Sequence, residues 1–203
     1  MFRRTFVSAA VVAATLGSAQ AFTVASVSAS GTVNNSLSLL TDGDFAVSSW
    51  WSAGSNVYWS GQLGAAGAVL TADFGGLYTL TDMAYGVDHN DFYQVQVSTD
   101  NISWNTLFVS LPDYLDAGFQ GPVPSIMRKD TNPSGAGYSN LIDFPNVQAR
   151  YARIFAIGGD GSYAVSELQF TGTPVVAVPE PGTYALMAAG LLAVGFAARR
   201  RLG

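Results

Sequence analysis

The 203-residue chain has no cysteine, a single histidine and nine basic residues against fourteen acidic ones. Without cysteine there are no disulfides, so stability rests on a hydrophobic core or a bound metal. The lone histidine, His89 in "DHND" (Asp88 to Asp91), excludes a histidine-rich metal site and an HExxH helix. No G-x-S-x-G elbow occurs, and no serine is marked as a partner for a histidine base. Paired carboxylates of the glycosidase kind have candidates among the aspartates, but no spacing selects a pair. The expectation is a protein that is not an enzyme.

What is present is concentrated at the two ends. Met1 to Ala21 holds Arg3 and Arg4, an apolar run from Phe6 to Leu16, and then Ala19-Gln20-Ala21. That order is a secretory signal peptide (1–21) cut before Phe22. With both ends set aside, only Arg128, Lys129, Arg150 and Arg153 remain against thirteen acids, a formal charge of about −9. Such a body repels phosphate backbones, which argues against nucleic acid as a partner. It suits divalent cations held by oxygen ligands.

From Phe22 to about Thr173 the chain reads as all-β, with Val-, Thr-, Tyr- and Phe-rich runs separated by Gly, Asn, Asp and Pro. In "FYQVQVSTD" (Phe92 to Asp100), Tyr93, Val95 and Val97 share one face and Gln94, Gln96 and Ser98 the other. Val69–Gly75, Tyr151–Ile157 and Ser166–Gly172 are further predicted strands, and Gly158–Ser162 is a turn. Short strands at this spacing predict a sandwich or jelly roll (22–173). Trp50 and Trp104 are expected as apolar anchors of its core. Leu111 to Leu141 breaks the pattern with four prolines and little alternation, as a functional loop or a disordered one would.

These segments, in this order, resemble the discoidin, or coagulation factor 5/8 type C, family, a galactose-binding-like jelly roll that includes many bacterial carbohydrate-binding modules. The pieces are "LLTDGD" with "SSWWSA" (Leu39 to Ala53), "VLTADFGGLYTLTDMAYGVD" (Val69 to Asp88), "FYQVQVSTDNISWNTL" (Phe92 to Leu107), "ARYARIFAI" and "AVSELQFTG". They cover about two-thirds of the chain. The resemblance implies a structural calcium where the closing strands return beside the opening segment. Its ligands would be the Asp42 carboxylate, backbone oxygens at Leu39 and Asp44, Ser48, the Ser166 carbonyl and Glu167. The Asp42–Trp50 spacing is one residue longer than the family pattern, which leaves Ser48 open against Ser49. Read alone, Asp42-Gly43-Asp44 is equally a solvated turn.

The resemblance also implies ligands at the loops of one end of the sandwich. Sugars pair apolar ring faces with hydroxyl edges, so a site needs an aromatic platform and a few polar groups. Trp51, Trp59, His89, Asp91, Arg128 and Tyr138 are the candidates in or beside predicted loops. For Trp51 and Trp59 the competing reading is packing under a loop, for His89 a solvated turn, and for Arg128-Lys129 an offset to the acidic surface.

After a Pro-interrupted linker (174–182), the chain ends in an apolar segment, Thr183 to Ala198, followed by Arg199, Arg200 and Arg201 (183–203). Sixteen residues give about 24 Å of helix against about 30 Å of hydrocarbon, short for a permanent transmembrane helix. The arginines would stay cytoplasmic. "VPEPGTYALMAAGLLAVGFAARRR" resembles the PEP-CTERM sorting signal of Gram-negative bacteria, with the tripeptide Pro179, Glu180, Pro181, a short helix and a basic cluster. The resemblance implies an exosortase that cleaves near the tripeptide, a precursor held transiently in the inner membrane, and delivery to the cell surface or extracellular matrix. The expected protein is thus an exported glycan- or exopolysaccharide-binding sandwich. The alternatives are a structural biofilm component without a small ligand and, last, a carbohydrate-active enzyme.

Overall fold

The computed structural model describes residues 18–47, 49–110, 112, 127–131, 138–175 and 181–201, and for 128–131, 138–141 and parts of the C-terminal helix the backbone alone. Most of the expected signal peptide, Ser48, Pro179 and Glu180 lie outside the described residues. The strands are β1 (Gln20–Phe22), β2 (Ser26–Ser30), β3 (Val57–Ser60), β4 (Val69–Asp88), β5 (Phe92–Ser98), β6 (Asn105–Ser110), β7 (Met127–Thr131), β8 (Tyr138–Leu141), β9 (Val147–Gly158) and β10 (Ser162–Pro174). A 3-10 helix spans Leu37–Thr41, and the helix α1 spans Pro181–Arg201.

The expected all-β sandwich is built on one strand. The first part of β4, Val69–Asp73, pairs with β2 and with β9, whereas Ala84–Asp88 pairs with β7 and Met83–Val87 with β10. Between them the register on β9 shifts from Asp73 to Tyr78. Gly75 takes a left-handed φ of 76° there, a conformation that costs glycine nothing. Its N–H donates to Asp73 Oδ1 at 2.8 Å, and Arg150 pairs with the same carboxylate at 3.2 Å, so the bend is tied on both sides. One layer therefore runs β2-β4-β9-β5-β6. The other runs β10-β4-β7-β8, with β3 and β1 following one another along the far edge of β10.

Side-chain alternation fills the space between the layers. Tyr93, Val95 and Val97 of β5 are buried while Gln94 and Gln96 face outward, as the period of two requires. They meet Leu70, Ala72, Phe74, Ile154, Val165 and Phe170 in a single core. After Ser98 the chain turns on Asp100, whose Oδ1 accepts from Ile102 N (2.9 Å), Ser103 N (2.8 Å) and Ser98 Oγ (2.9 Å). Phe22 stacks on Tyr78 at 4.0 Å between ring centres and meets Phe74 edge-on at 5.1 Å. A cut before Phe22 would keep this ring and remove the Gln20 and Ala21 backbone that pairs with Gly172 and Thr171.

Four expectations need correction. Trp59 is fully buried, its ring near those of Tyr93 and Tyr163 and its Nε1–H donating to Gln62 O at 3.2 Å. It belongs to the core, where truncating such a side chain costs about 3–5 kcal/mol. Trp50, expected inside, is 54% exposed, because it sits on a loop rather than on an inward-facing strand position. Trp104 lies on the outside of the sheet, at the entrance to β6, with Arg153 over its ring. Finally, the interval 111–141 includes two short strands, since β7 pairs with β4 and β8 with β7; the rest of it lies outside the described residues.

In α1, Leu186, Met187, Leu191, Leu192 and Val194 are all exposed. Among the described residues no helix is long and apolar enough to cross a membrane, so the expectation of a transmembrane helix is not supported.

Candidate functional site

The return of β10 beside the opening segment brings Glu167 to the turn after the 3-10 helix. Glu167 Oε2 accepts from Gly43 N at 3.0 Å, and its side chain is 3% exposed. Asp42 and Asp44 stay exposed and fold the turn onto themselves, Asp42 Oδ1 accepting from Asp44 N and Asp44 Oδ1 from Ala46 N, both at 2.9 Å. Burial pushes the Glu167 carboxyl up to about 7; the Gly43 N–H opposes this, and the charges of Asp42 and Asp44 add to it. A cleft of about 220 Å³ opens here, lined in part by Thr41, Asp42, Gly43 and Glu167. Ser166 falls where β10 skips a residue against β4, and its Oγ donates to Phe45 O at 2.6 Å. Ser49 Oγ, the alternative to Ser48, lies within hydrogen-bond distance of Asn56 Oδ1 and Nδ2, at 3.4 and 3.3 Å. Of the residues expected to hold calcium, Leu39, Asp42, Asp44, Ser166 and Glu167 therefore converge on one region of the fold. No three acidic or histidine side chains gather at metal-ligand spacing among the described residues.

The β4–β5 turn was expected to present His89 and Asp91 to a ligand. Both are buried, at 3% and 1% exposure. Asp91 Oδ1 accepts from Asp160 N at 3.1 Å and so pins the turn between β9 and β10 from below. A Cβ on Gly159 would stand 1.8 Å from Asp91 Oδ1, so only glycine lets the turn descend this far. Asn90 Nδ2 and Ser162 N both donate to the Asp160 carboxylate, at 3.1 and 2.8 Å. Asp91 is thus a structural strut.

Asp88, not singled out in the sequence, is the most confined acid of the group. It is fully buried, and among the described residues neither carboxylate oxygen has a hydrogen-bond partner of good geometry. Burial, then the charges of Asp91 and Asp160, push it up to about 8; the nearby N–H groups of Asn90 and His89 offset only part of this. Burial likewise raises Asp91 to about 7.

The aromatic loop lies over the same end of the sandwich. Asn56, fully buried, donates through Nδ2 to Trp50 O (2.8 Å) and Trp51 O (3.0 Å). Asn35 donates to Ala53 O and Asn56 O, at 3.0 and 2.7 Å, from a left-handed φ of 69°. Trp51 is half-buried and edge-on to Tyr58, whereas Trp50 projects. The loop is stitched to β7 by Met127 N donating to Ser49 O at 2.9 Å, and Met127 itself pairs with Asp88. The Arg128 and Tyr138 backbones follow on β7 and β8; their side chains lie outside what the structure describes.

Three buried carboxyls with raised proton affinity set the pH dependence. Each keeps its proton when folded but releases it near 4 when unfolded, so the folded state binds more protons between about 4 and about 8. Stability is then fullest at the acidic edge of that window and falls as pH rises through it. Asp73, held low first by its hydrogen bond to Arg150, acts in the opposite sense only below this range. Thermal melts in metal-free buffer should show a midpoint falling from pH 5 to pH 8, with the upper part of the fall flattened in Asp88→Asn. A midpoint that rises over this range would contradict the assignment.

Residues 177–201 match the family described as the PEP-CTERM protein-sorting motif. No curated protein matches the chain. Among solved structures the chain is similar to a truncated AlyQ with CBM32 and alginate lyase domains, at 16% identity and a TM-score of 0.48. That match covers 78% of this chain and 34% of the other, so the chain spans about a third of its length. It is also similar to the CBM32 of AlyQ in complex with 4,5-unsaturated mannuronic acid (16% identity, TM-score 0.46, covering 74% of this chain and 97% of that one). A third likeness is to the family 32 CBM of Clostridium perfringens NanJ in complex with galactose (13% identity, TM-score 0.45, covering 75% and 98%). The C-terminal segment is a PEP-CTERM sorting motif, in keeping with its tripeptide, apolar stretch and terminal arginines.

Proposed function

We propose that this is an exported, non-catalytic protein whose sandwich binds carbohydrate at the cell surface or in the extracellular matrix, where its PEP-CTERM tail sends it. The observation that carries the reading is Trp50, a large aromatic side chain held outward by a loop whose carbonyls are fixed by a buried asparagine. A solvent-facing indole on an anchored backbone offers a flat apolar face to a sugar ring. Beside it, Trp51 packs edge-on against Tyr58. Catalysis gains no support from the same end, since His89 and Asp91 are buried and Asp91 is occupied as a strut.

In this reading an exosortase processes the chain near Pro179-Glu180-Pro181. The exposed apolar side chains of α1 hold the precursor transiently in the inner membrane, with Arg199 and Arg200 at its cytoplasmic side. Pro181 heads the helix, a position where its missing N–H leaves no bond unmade.

Calcium is part of the proposal. The donor set at the Asp42 turn is all oxygen, and it includes a buried carboxyl whose protonation a divalent ion would reverse. Two carboxylates, Asp42 and Glu167, would be joined by backbone oxygens of Leu39, Asp44 and Ser166. The ion would neutralise like charges and fasten the opening segment to β10.

Two outcomes are expected. On a glycan array the full chain should bind saturably, and Trp50→Ala should weaken binding by on the order of tenfold or more without shifting the melting temperature. An array with no saturable binding would overturn the reading in favour of a structural surface component. Chelator should lower the melting temperature at pH 7, and Glu167→Gln should abolish the calcium-dependent shift; a transition indifferent to calcium would remove the ion from the account.

A further inference from the structure

The outer face of the β2-β4-β9-β5-β6 layer has an arrangement that neither the core nor the Trp50 loop requires. Strand register places Ser28, Thr71, Arg153, Gln96 and Thr106 side by side across five strands. All five are exposed or half-exposed, and none is apolar. At about 4.8 Å between strands the row is about 19 Å long.

Its centre is a single cation. Arg153 donates from Nε and Nη2 to Gln96 Oε1, at 2.8 and 2.6 Å. Its guanidinium lies over the Trp104 ring, 4.2 Å from the centroid. These contacts fix the plane of the group and leave its remaining N–H groups without a protein acceptor among the described residues. No carboxylate among the described residues pairs with it. The neighbouring Arg150, three residues earlier on β9, is by contrast neutralised by Asp73. In a chain with a five-charge acidic excess, an oriented guanidinium with no acid beside it is an anomaly. Partial burial also weakens the hold on its proton.

We propose that this sheet face is a second binding surface, distinct from the Trp50 loop, for a carboxylated polysaccharide of the uronic acid class, held through one carboxylate at Arg153 because the acidic body as a whole repels a polyanion. Arg153 receives the carboxylate through its free N–H groups, in the fork geometry that guanidinium and carboxylate share. The hydroxyl and amide side chains of Ser28, Thr71, Gln96 and Thr106 meet the hydroxyls repeated along the chain. Trp104 holds the guanidinium in place. A row of hydroxyl and amide side chains around one guanidinium suits a polysaccharide better than a peptide. The inference stands apart from the Trp50 reading, since it uses other residues on another face.

The test uses the full chain and calorimetric titration with an oligoglucuronate of defined length, its carboxyl-reduced neutral counterpart, and oligoglutamate. The oligoglucuronate should bind, more weakly as salt rises, and the reduced sugar and the peptide should bind at least tenfold more weakly. Arg153→Gln should lose on the order of tenfold or more, and Arg153→Lys should recover only part of it. Thr71→Glu sets an acid beside Arg153 without disturbing Trp104, and should act like Arg153→Gln. Trp50→Ala should leave this binding unchanged. Equal binding of the reduced sugar or the peptide, full affinity in Arg153→Gln and Thr71→Glu, loss in Trp50→Ala, or no binding by the wild type would each overturn the proposal.

Discussion

The close approach at Gly86 is the contact on which the functional end of the sandwich depends. A Cβ there would stand 2.1 Å from Ser166 Oγ and 2.8 Å from Phe45 O. Because Gly86 has none, Ser166 can reach across and bond the Phe45 carbonyl at 2.6 Å. That bond draws the segment after Asp44 down onto the sheet. Two consequences follow from the same point: Glu167, one residue along β10, meets the Asp42 turn, and the chain leaving Phe45 enters the loop that carries Trp50. The Asp42 turn and the Trp50 loop are therefore positioned by one packing decision.

The second organising feature is how a chain poor in basic residues places its acids. Asp73 has an arginine and Asp100 a ring of N–H donors, and both carboxyls lie below their usual range. Asp88, Asp91 and Glu167 have no cation among the described residues and are buried, and their proton affinities rise for that reason. Burial without a partner is unfavourable for a charged group, so these sites either keep a proton or take a metal. The few arginines are placed as selectively, with Arg150 spent on Asp73 and Arg153 left open on the outer face.

Much of the fold was legible where the period of two was unbroken. The Tyr93-Val95-Val97 alternation marked β5. The same signal in "VYWS" would have put Trp59 inside, since it lies in phase with Val57 across Tyr58; proximity to a predicted loop obscured it. Trp50 could not be placed from sequence, because its exposure depends on Asn56, six residues on, holding the loop carbonyls. Gly75-Gly76 hid the continuity of β4, which reads as two strands because it serves two sheets. Prolines and glycines masked β7 and β8, and Asp88 gave no signal at the end of an apolar run. The sorting tail was the most legible part, since its three components are contiguous and need no tertiary contact.

Tail and body divide the labour: the tail supplies an address, and the body a rigid surface whose features hang from the junction of β4, β10 and the opening segment. That junction is the central claim, and Gly86→Ala tests it. The added methyl group should separate Phe45 from Ser166, lowering the melting temperature and diminishing both the calcium-dependent shift and glycan binding in the same protein. A Gly86→Ala protein that melts, responds to calcium and binds glycan as the wild type does would contradict the account.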